Sequence, residues 1–106
     1  MGYNIDLEEL KHFREISSLT PGHPEVKVTP GVDVSTGPLG QGVGMAVGIA
    51  LAERYLNAIV NIEDKNSSLI DYYTYCLCGD GDLMEGISYE ALSFASTQNL
   101  NKLILL

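Results

Sequence analysis

Apolar side chains recur at helix or strand spacing in several stretches of the chain, and turns rich in glycine and proline separate these stretches. In the first stretch, Leu7, Leu10 and Phe13 fall on one face of a helix. Asp6 precedes this face and Glu9 follows Asp6 by three residues, which is the pattern of a capping box. The pattern therefore predicts a short amphipathic helix at the start of the chain.

The longest apolar run, residues 43–52, follows a glycine-rich loop and predicts a helix that is buried on most sides. Gly40, Gly44, Gly48 and Ala52 recur every fourth residue and would lie along one ridge. Glycine inside a helix is less stable than alanine by about 1 kcal/mol, so the ridge indicates close approach of another backbone. A small chain has too little mass to bury this helix, and we expect another domain or subunit to cover it.

Residues 57–71 are mostly polar and predict an exposed connection, after which a strand, a tight turn and a helix follow. The aromatic-rich segment Tyr72–Leu77 predicts the strand. Helical spacing then relates Ile87, Ala91, Phe94 and Ala95. The apolar run 103–106 is typical of a buried parallel strand. These elements predict an α/β fold, in which the turn lies at the carboxyl end of a strand, where ligands bind.

The turn itself, Gly79-Asp80-Gly81, has two interpretations. Glycines permit backbone angles that a side chain forbids, they let a ligand approach the main chain, and their amides favour a phosphate. The Asp80 carboxylate is a hard oxygen ligand that suits Mg²⁺ or Ca²⁺. Alternatively, the segment is an ordinary Asp-Gly turn, followed by a helix that Asp82 and Glu85 cap. The turn residues alone do not separate a metal-bridged phosphate ester from this structural role.

The charge and the cysteines of the chain limit the partners and the cellular compartment that we expect. The 106 residues form at most one small domain, and the net charge of −8 argues against nucleic acid as a partner. Cys76 and Cys78 would point to one face of the same strand, cannot form an unstrained disulfide with each other, and are predicted to be buried core residues. We therefore expect a reducing compartment, the cytoplasm. No secretory signal is seen, the apolar run 43–52 is too short to span a membrane, and both ends of the chain look like cuts.

The loop Thr20–Glu25 contains two prolines and a glycine, so it is not helical. It holds His23 between rigid neighbours, as a residue for proton transfer or substrate binding requires, although a loop histidine without a role is the alternative. His12 is expected to be a surface or packing histidine. The second loop, Ser35–Gly42, is not a nucleotide-binding P-loop, because Val43 stands where the lysine is required.

Three stretches together resemble the transketolases, which depend on thiamine diphosphate. Thr20–Glu25 resembles the substrate-side histidine loop of that family, and Ser35–Gly42 resembles its glycine loop beside the cofactor. Gly79-Asp80-Gly81, followed by Glu85 and Glu90, resembles the cofactor motif of thiamine enzymes more widely. The resemblance covers essentially the whole chain. It implies that residues 1–106 are a fragment of a single pyrophosphate-binding domain, with a partial parallel sheet flanked by helices.

The resemblance also implies the cofactor ligands. Asp80 would bind the divalent metal, Mg²⁺ or Ca²⁺, and Gly79 and Gly81 would contact the diphosphate, Gly81 through its amide. Gly37 and Leu39 would line the aminopyrimidine of thiamine diphosphate. The family has an asparagine metal ligand roughly thirty residues after the turn, which adds one more hard oxygen and lies beyond this chain.

Two further roles are implied for catalysis. His23 would hydrogen-bond the substrate near the reacting carbon. Glu85, and with less support Glu90, would lie near the subunit interface and help to link two cofactor sites; helix capping and solvation are the alternative for both glutamates.

The implied activity is transfer of a two-carbon ketol unit between sugar phosphates in the pentose phosphate pathway. The partners would be the remaining transketolase domains and a second subunit in a homodimer, with no nucleic acid and no membrane. Because other ligands are missing, the 106 residues alone are expected to be inactive. Three alternatives stay open: a dihydroxyacetone synthase, a non-catalytic fragment that acts only by assembling with the rest of a thiamine enzyme, and a generic phosphate-binding module.

Overall fold

The computed structural model describes residues 2–60 and 69–106, which belong to two compact units, Met1–Gly37 and Pro38–Leu106. The first unit contains one short helix, α1, and the second contains the other helices and both strands. In chain order the elements are α1 (Leu7–Lys11), α2 (Gln41–Val60), β1 (Thr74–Cys76), α3 (Asp80–Met84), α4 (Gly86–Thr97) and β2 (Leu103–Leu105).

In the first unit, α1 begins as the capping pattern predicts. The Asp6 carboxylate accepts a hydrogen bond of 3.0 Å from the Glu9 amide. The predicted apolar face is solvent-exposed, however, with Leu7 at 74% and Phe13 at 58% exposure. The remainder of this unit consists of turns, held by hydrogen bonds such as that from the Thr20 hydroxyl to the Glu9 carbonyl, 2.8 Å long. The helix is therefore confirmed, but its apolar face has no partner within the described residues of this unit.

The second unit is an α/β layer, as predicted. β1 pairs in parallel with β2, with Thr74 opposite Leu103 and Cys76 opposite Leu105. Helix α2 packs on this sheet and along α4. Its small side chains allow close packing and form the core with α4 and the sheet: Val43, Ala46, Val47, Ala50, Cys76, Ala95 and Leu100.

Two element predictions need correction. Helix α2 continues to Val60, so it includes residues 57–60, which were expected to belong to the exposed connection; the prediction for residues 61–68 lies outside the described part of the chain. In α4, Ala91 and Ala95 face the core as expected, but Ile87 is 52% and Phe94 is 44% exposed. Ser88 is buried instead, because the side of α4 that faces Gly40 carries it.

The glycine ridge on α2 is only partly explained. A Cβ on Gly44 would lie 3.4 Å from Ile87 of α4, an ordinary contact, and a Cβ on Gly48 would meet nothing within 4 Å. The outer side of α2 exposes apolar side chains, including Ile49 at 42% and Ile59 at 50%. The expected neighbour that would cover this side stays a prediction.

At 20 residues, α2 is the one helix within the described residues that is long and apolar enough to cross a membrane. The apolar run 43–52 is shorter than this helix, because the run ends at the charged pair Glu53 and Arg54 and the helix continues past them. Length and composition are weak indicators, since the core helix of a soluble domain passes the same test. Helix α2 packs against both α4 and the sheet, as a core helix does.

An ion-pair cluster that the sequence analysis missed lies at the opposite end of the sheet from the Gly-Asp-Gly turn. The Glu53 side chain is buried on α2 and accepts a 2.7 Å hydrogen bond from Lys102, just before β2. Lys102 also donates to Asp71, before β1, over 2.5 Å. The hydrogen bond to Asp71, and to a smaller extent the one to Glu53, raises the pKa of Lys102 to about 12. The cluster therefore joins α2 to the segments that enter both strands.

Candidate functional site

The Gly-Asp-Gly turn directly follows the paired strands. The Leu106 amide donates to the Cys76 carbonyl, and the Cys78 amide donates to the Leu106 carbonyl over 3.0 Å, so pairing continues past the ends of β1 and β2. Gly79 then leads into α3. The turn thus lies at the carboxyl end of the parallel pair, as the strand prediction implies.

The backbone of the turn does not require glycine, which corrects one expectation. Gly79 has φ −88° and ψ 172°, an extended conformation that any residue adopts. A Cβ on Gly79 would lie 3.7 Å from the Asp82 carboxylate, and one on Gly81 would lie 3.7 Å from Leu39 Cδ1, both ordinary contacts. Neither backbone angle nor space within the described residues explains these two glycines.

Asp80 presents a solvent-exposed carboxylate at the start of α3. Its Oδ1 accepts a 2.9 Å hydrogen bond from the Gly81 amide, and its Oδ2 has no partner among the described residues. The described part of the chain holds no group of three or more His, Cys, Asp or Glu side chains that could bind a metal together. The chemistry of Asp80 fits a divalent cation, therefore, but as a single ligand of a larger set.

Asp82 has a role that the sequence analysis did not find. Its Oδ2 accepts a 2.9 Å hydrogen bond from the Gly79 amide, and its Oδ1 accepts one of 2.9 Å from the Gly40 amide. These two bonds lower the pKa of Asp82, and the bond from Gly40 has the larger effect. The predicted capping box of Asp82 with Glu85 is wrong in its partner: Asp82 is the third residue of α3 and caps that helix through the Gly79 amide, whereas Glu85 makes no side-chain capping bond. The acidic residue at the third position of α3 was the available signal.

The turn before α2 lies beside the Gly-Asp-Gly turn. Leu39 is 56% exposed, and its Cδ1 lies within contact distance of Gly81. Gly40 is buried with φ +80°, and a Cβ there would lie 2.8 Å from Ile87 and 2.9 Å from the Ser88 hydroxyl. Only glycine fits this position. The structure therefore brings together Leu39, Gly79, Asp80 and Gly81.

The two glutamates of the motif are exposed, Glu85 at the start of α4 and Glu90 within it. Glu85 separates α3 from α4, and its carbonyl accepts the Ser88 amide over 3.0 Å. Its carboxylate, like that of Glu90 on α4, is exposed and has no hydrogen-bond or ion-pair partner among the described residues. Helix capping through the side chain is therefore not the explanation for Glu85.

The first unit holds the other two predicted residues. His23 is exposed and lines a hollow of about 340 Å³ together with Arg14, Glu15 and Glu25. A Cβ on Gly37 would lie 3.9 Å from the His23 ring, so these two residues are neighbours.

The remaining titratable side chains of interest behave as structural residues. His12 is exposed and bonded to Glu15 over 2.8 Å, which raises the pKa of its ring. Both cysteines are free. Cys76 is buried, and this burial raises the pKa of its thiol, whereas Cys78 is half-buried.

The parallel strands, the helices on their face and the Gly-Asp-Gly turn at their carboxyl end define an α/β cofactor-binding domain. The profile of the family described as "Transketolase, thiamine diphosphate binding domain" matches residues 1–106. The chain belongs to the transketolase family.

Named relatives agree with this assignment over nearly the whole chain. The chain is 58% identical over 105 residues to a transketolase of Halalkalibacterium halodurans, covering 99% of this chain and 16% of that protein. It is 57% identical over 103 residues to a transketolase of Aquifex aeolicus, covering 97% of this chain and 15% of that protein. The chain therefore spans about 15–16% of the length of these relatives.

Solved structures show the same fold. The transketolase of Leishmania mexicana superposes with a TM-score of 0.88 at 54% identity, covering 98% of this chain and 15% of that chain. A transketolase of Pichia stipitis in complex with sedoheptulose-7-phosphate superposes with a TM-score of 0.88 at 48% identity, with the same coverages of 98% and 15%. The predicted α/β fold of a thiamine-diphosphate-binding domain is thus confirmed.

Proposed function

We propose that this chain is the part of a transketolase that holds the diphosphate end of thiamine diphosphate through a divalent cation, Mg²⁺ or Ca²⁺. The enzyme moves a two-carbon ketol unit between sugar phosphates. Family membership supports the proposal, and so do the Pichia stipitis transketolases, whose structures contain sedoheptulose-7-phosphate or fructose-6-phosphate. Because the chain spans only 15% of those chains, the activity belongs to a larger assembly.

The observation that carries the proposal is the unexplained pair of glycines around Asp80. Neither Gly79 nor Gly81 has a backbone angle or a close neighbour within the described residues that excludes a side chain. A group that approaches the main chain from outside is the remaining reason for glycine at such positions. A diphosphate, bound to the cation that Asp80 attracts, is such a group.

When bound, thiamine diphosphate supplies the carbanion chemistry, and the protein contributes binding and orientation. Asp80 would provide one carboxylate oxygen to the cation. The Gly81 amide, which donates to Asp80 in this structure, would be the donor for a diphosphate oxygen. Gly37 and Leu39 would line the aminopyrimidine.

His23 is proposed to bind the sugar substrate near its reacting carbon, since its ring is exposed and borders a hollow. Glu85 and Glu90, whose carboxylates are exposed, are proposed to face a second subunit and to link two cofactor sites. The proposed partners of this chain are the remaining transketolase domains and a second subunit in a homodimer. The proposed location is the cytoplasm.

The test is an assay of the intact enzyme for ketol transfer between sugar phosphates, with thiamine diphosphate and the divalent cation each supplied or withheld. Activity should require both. Residues 1–106 alone should be inactive, because Asp80 is their single candidate metal ligand at the turn. Transfer that proceeds without either component, or that the isolated residues catalyse, would contradict the proposal.

A second candidate function is that of a non-catalytic piece that acts only by assembling with the rest of a thiamine enzyme. The exposed apolar side of α2, with Ile49 at 42% and Ile59 at 50% exposure, favours it, because such a surface needs a cover. Co-purification decides this point. A soluble, monodisperse monomer of this chain would count against assembly.

A further inference from the structure

Asp82 joins the two glycine turns of the second unit, and the motif resemblance gives it no role. Its two carboxylate oxygens each accept a 2.9 Å hydrogen bond, one from Gly40 and one from Gly79. Gly40 and Asp82 are 42 positions apart in the chain, so this bond connects separate segments. We propose that Asp82 is a positioning residue, which fixes the turn carrying Leu39 relative to the turn carrying Asp80 and so preorganises the cofactor-binding edge.

The backbone of Asp82 is hydrogen-bonded as well as its side chain. The Ser88 hydroxyl, on a fully buried residue of α4, donates to the Asp82 carbonyl over 2.5 Å. Gly40, in turn, is packed against Ile87 and Ser88 in a conformation that only glycine adopts without strain. Three segments therefore meet at Asp82: the turn before α2, the turn after β1, and the start of α4.

The carboxylate is the side chain that suits this task. Its two oxygens accept from two amides at once, whereas an asparagine offers one oxygen and one amino group that cannot accept. Alanine offers no acceptor. Because both oxygens of Asp82 are already engaged, its role differs from that of Asp80, whose Oδ2 is open. The expected order of function is therefore Asp, then Asn, then Ala.

The effect should appear in cofactor affinity. This step rests on the proposed function, which assigns thiamine diphosphate to the edge formed by the two turns. Without the two bonds, binding must order turns that Asp82 otherwise holds in place. We expect affinity for thiamine diphosphate to fall about tenfold for Asp82→Asn and about 100-fold for Asp82→Ala, roughly tenfold for each hydrogen bond lost. At saturating cofactor, kcat should stay within about twofold, since Asp82 touches no reacting atom.

The experiment uses the intact enzyme with Asp82→Asn and Asp82→Ala. Cofactor affinity is titrated at saturating Mg²⁺, and amide hydrogen exchange of the cofactor-free protein is measured at Gly40 and Gly79. Exchange should quicken at both turns in Asp82→Ala, which loses both acceptors, and at one of the two turns in Asp82→Asn, which loses one. Glu8→Gln is the charge-matched control. It removes one negative charge from an exposed pair with Lys11 in α1 and should change neither measurement.

Each outcome decides the proposal. Wild-type cofactor affinity in Asp82→Ala, or a large loss of kcat with affinity unchanged, would overturn the positioning role while the proposed function stands. If the wild-type enzyme does not bind thiamine diphosphate, the proposed function fails and the cofactor role of Asp82 fails with it. Should Asp82→Ala not fold, Asp82→Asn carries the test, and unchanged exchange at both glycines in this variant would overturn the proposal.

Discussion

Replacing Gly40 with alanine should destabilise the second unit strongly, although the change adds only one methyl group. The backbone has φ +80°, and an alanine in the left-handed region is less stable by about 1–2 kcal/mol. The new Cβ would lie 2.8 Å from Ile87 and 2.9 Å from the Ser88 hydroxyl, and such overpacking typically adds about 1–3 kcal/mol. The combined loss is therefore about 2–5 kcal/mol if the contributions add.

Urea denaturation of the intact apoenzyme, followed by circular dichroism, measures this loss as a lower midpoint. Gly86→Ala is the matched control at the first residue of α4. Its Cβ would meet nothing within 4 Å and its φ is not positive, so the free energy of unfolding should change by less than about 1 kcal/mol. A midpoint for Gly40→Ala equal to that of wild type or Gly86→Ala would refute the reasoning about this turn.

Two further predictions concern α2 and its ion pairs. Because the pKa of Lys102 is raised from 10.5 to about 12, the stability due to its ion pairs is complete below its unfolded pKa and is lost as the pH rises through 12. Between pH 10.5 and about 12, the urea midpoint of wild type should therefore fall. The midpoint of Lys102→Met should be lower at neutral pH and should fall less over the same range. An equal fall of the two midpoints with pH would contradict the assignment. In an uncovered helix, Gly48→Ala should stabilise the protein by about 1 kcal/mol. We expect no such gain in the intact enzyme, because a neighbour should cover α2, and a gain would contradict that expectation.

Local patterns predicted α2, both strands and the turn after β1, but they predicted a single helix after that turn, where the structure has α3 and α4. The aromatic run before Gly79 and the apolar run from Leu103 do form a parallel pair, and the turn between β1 and α3 lies where ligands bind in such sheets. The strands and the turn themselves depend on spacing within a few residues, whereas the pairing of Thr74 with Leu103 does not. Sequence reasoning on that scale is sufficient for them.

The missed features connect distant positions. Asp82 bonds to a residue 42 positions away, and Lys102 bonds to Glu53, which is 49 positions away. Local spacing could suggest only that Asp82 caps a helix and that the apolar part of α2 ends at Glu53. Which turn a carboxylate bridges, or which buried acid a lysine reaches, depends on how the helices pack on the sheet.

The most direct test of the central claim is the metal dependence of thiamine diphosphate binding in Asp80→Ala, titrated in the intact enzyme beside wild type and Glu8→Gln. Asp80 has an open oxygen at the turn, so its removal should weaken Mg²⁺-dependent binding by more than about 100-fold while the urea midpoint of the apoenzyme changes little. Glu8→Gln should bind as wild type does. Unchanged Mg²⁺-dependent affinity in Asp80→Ala would contradict the account.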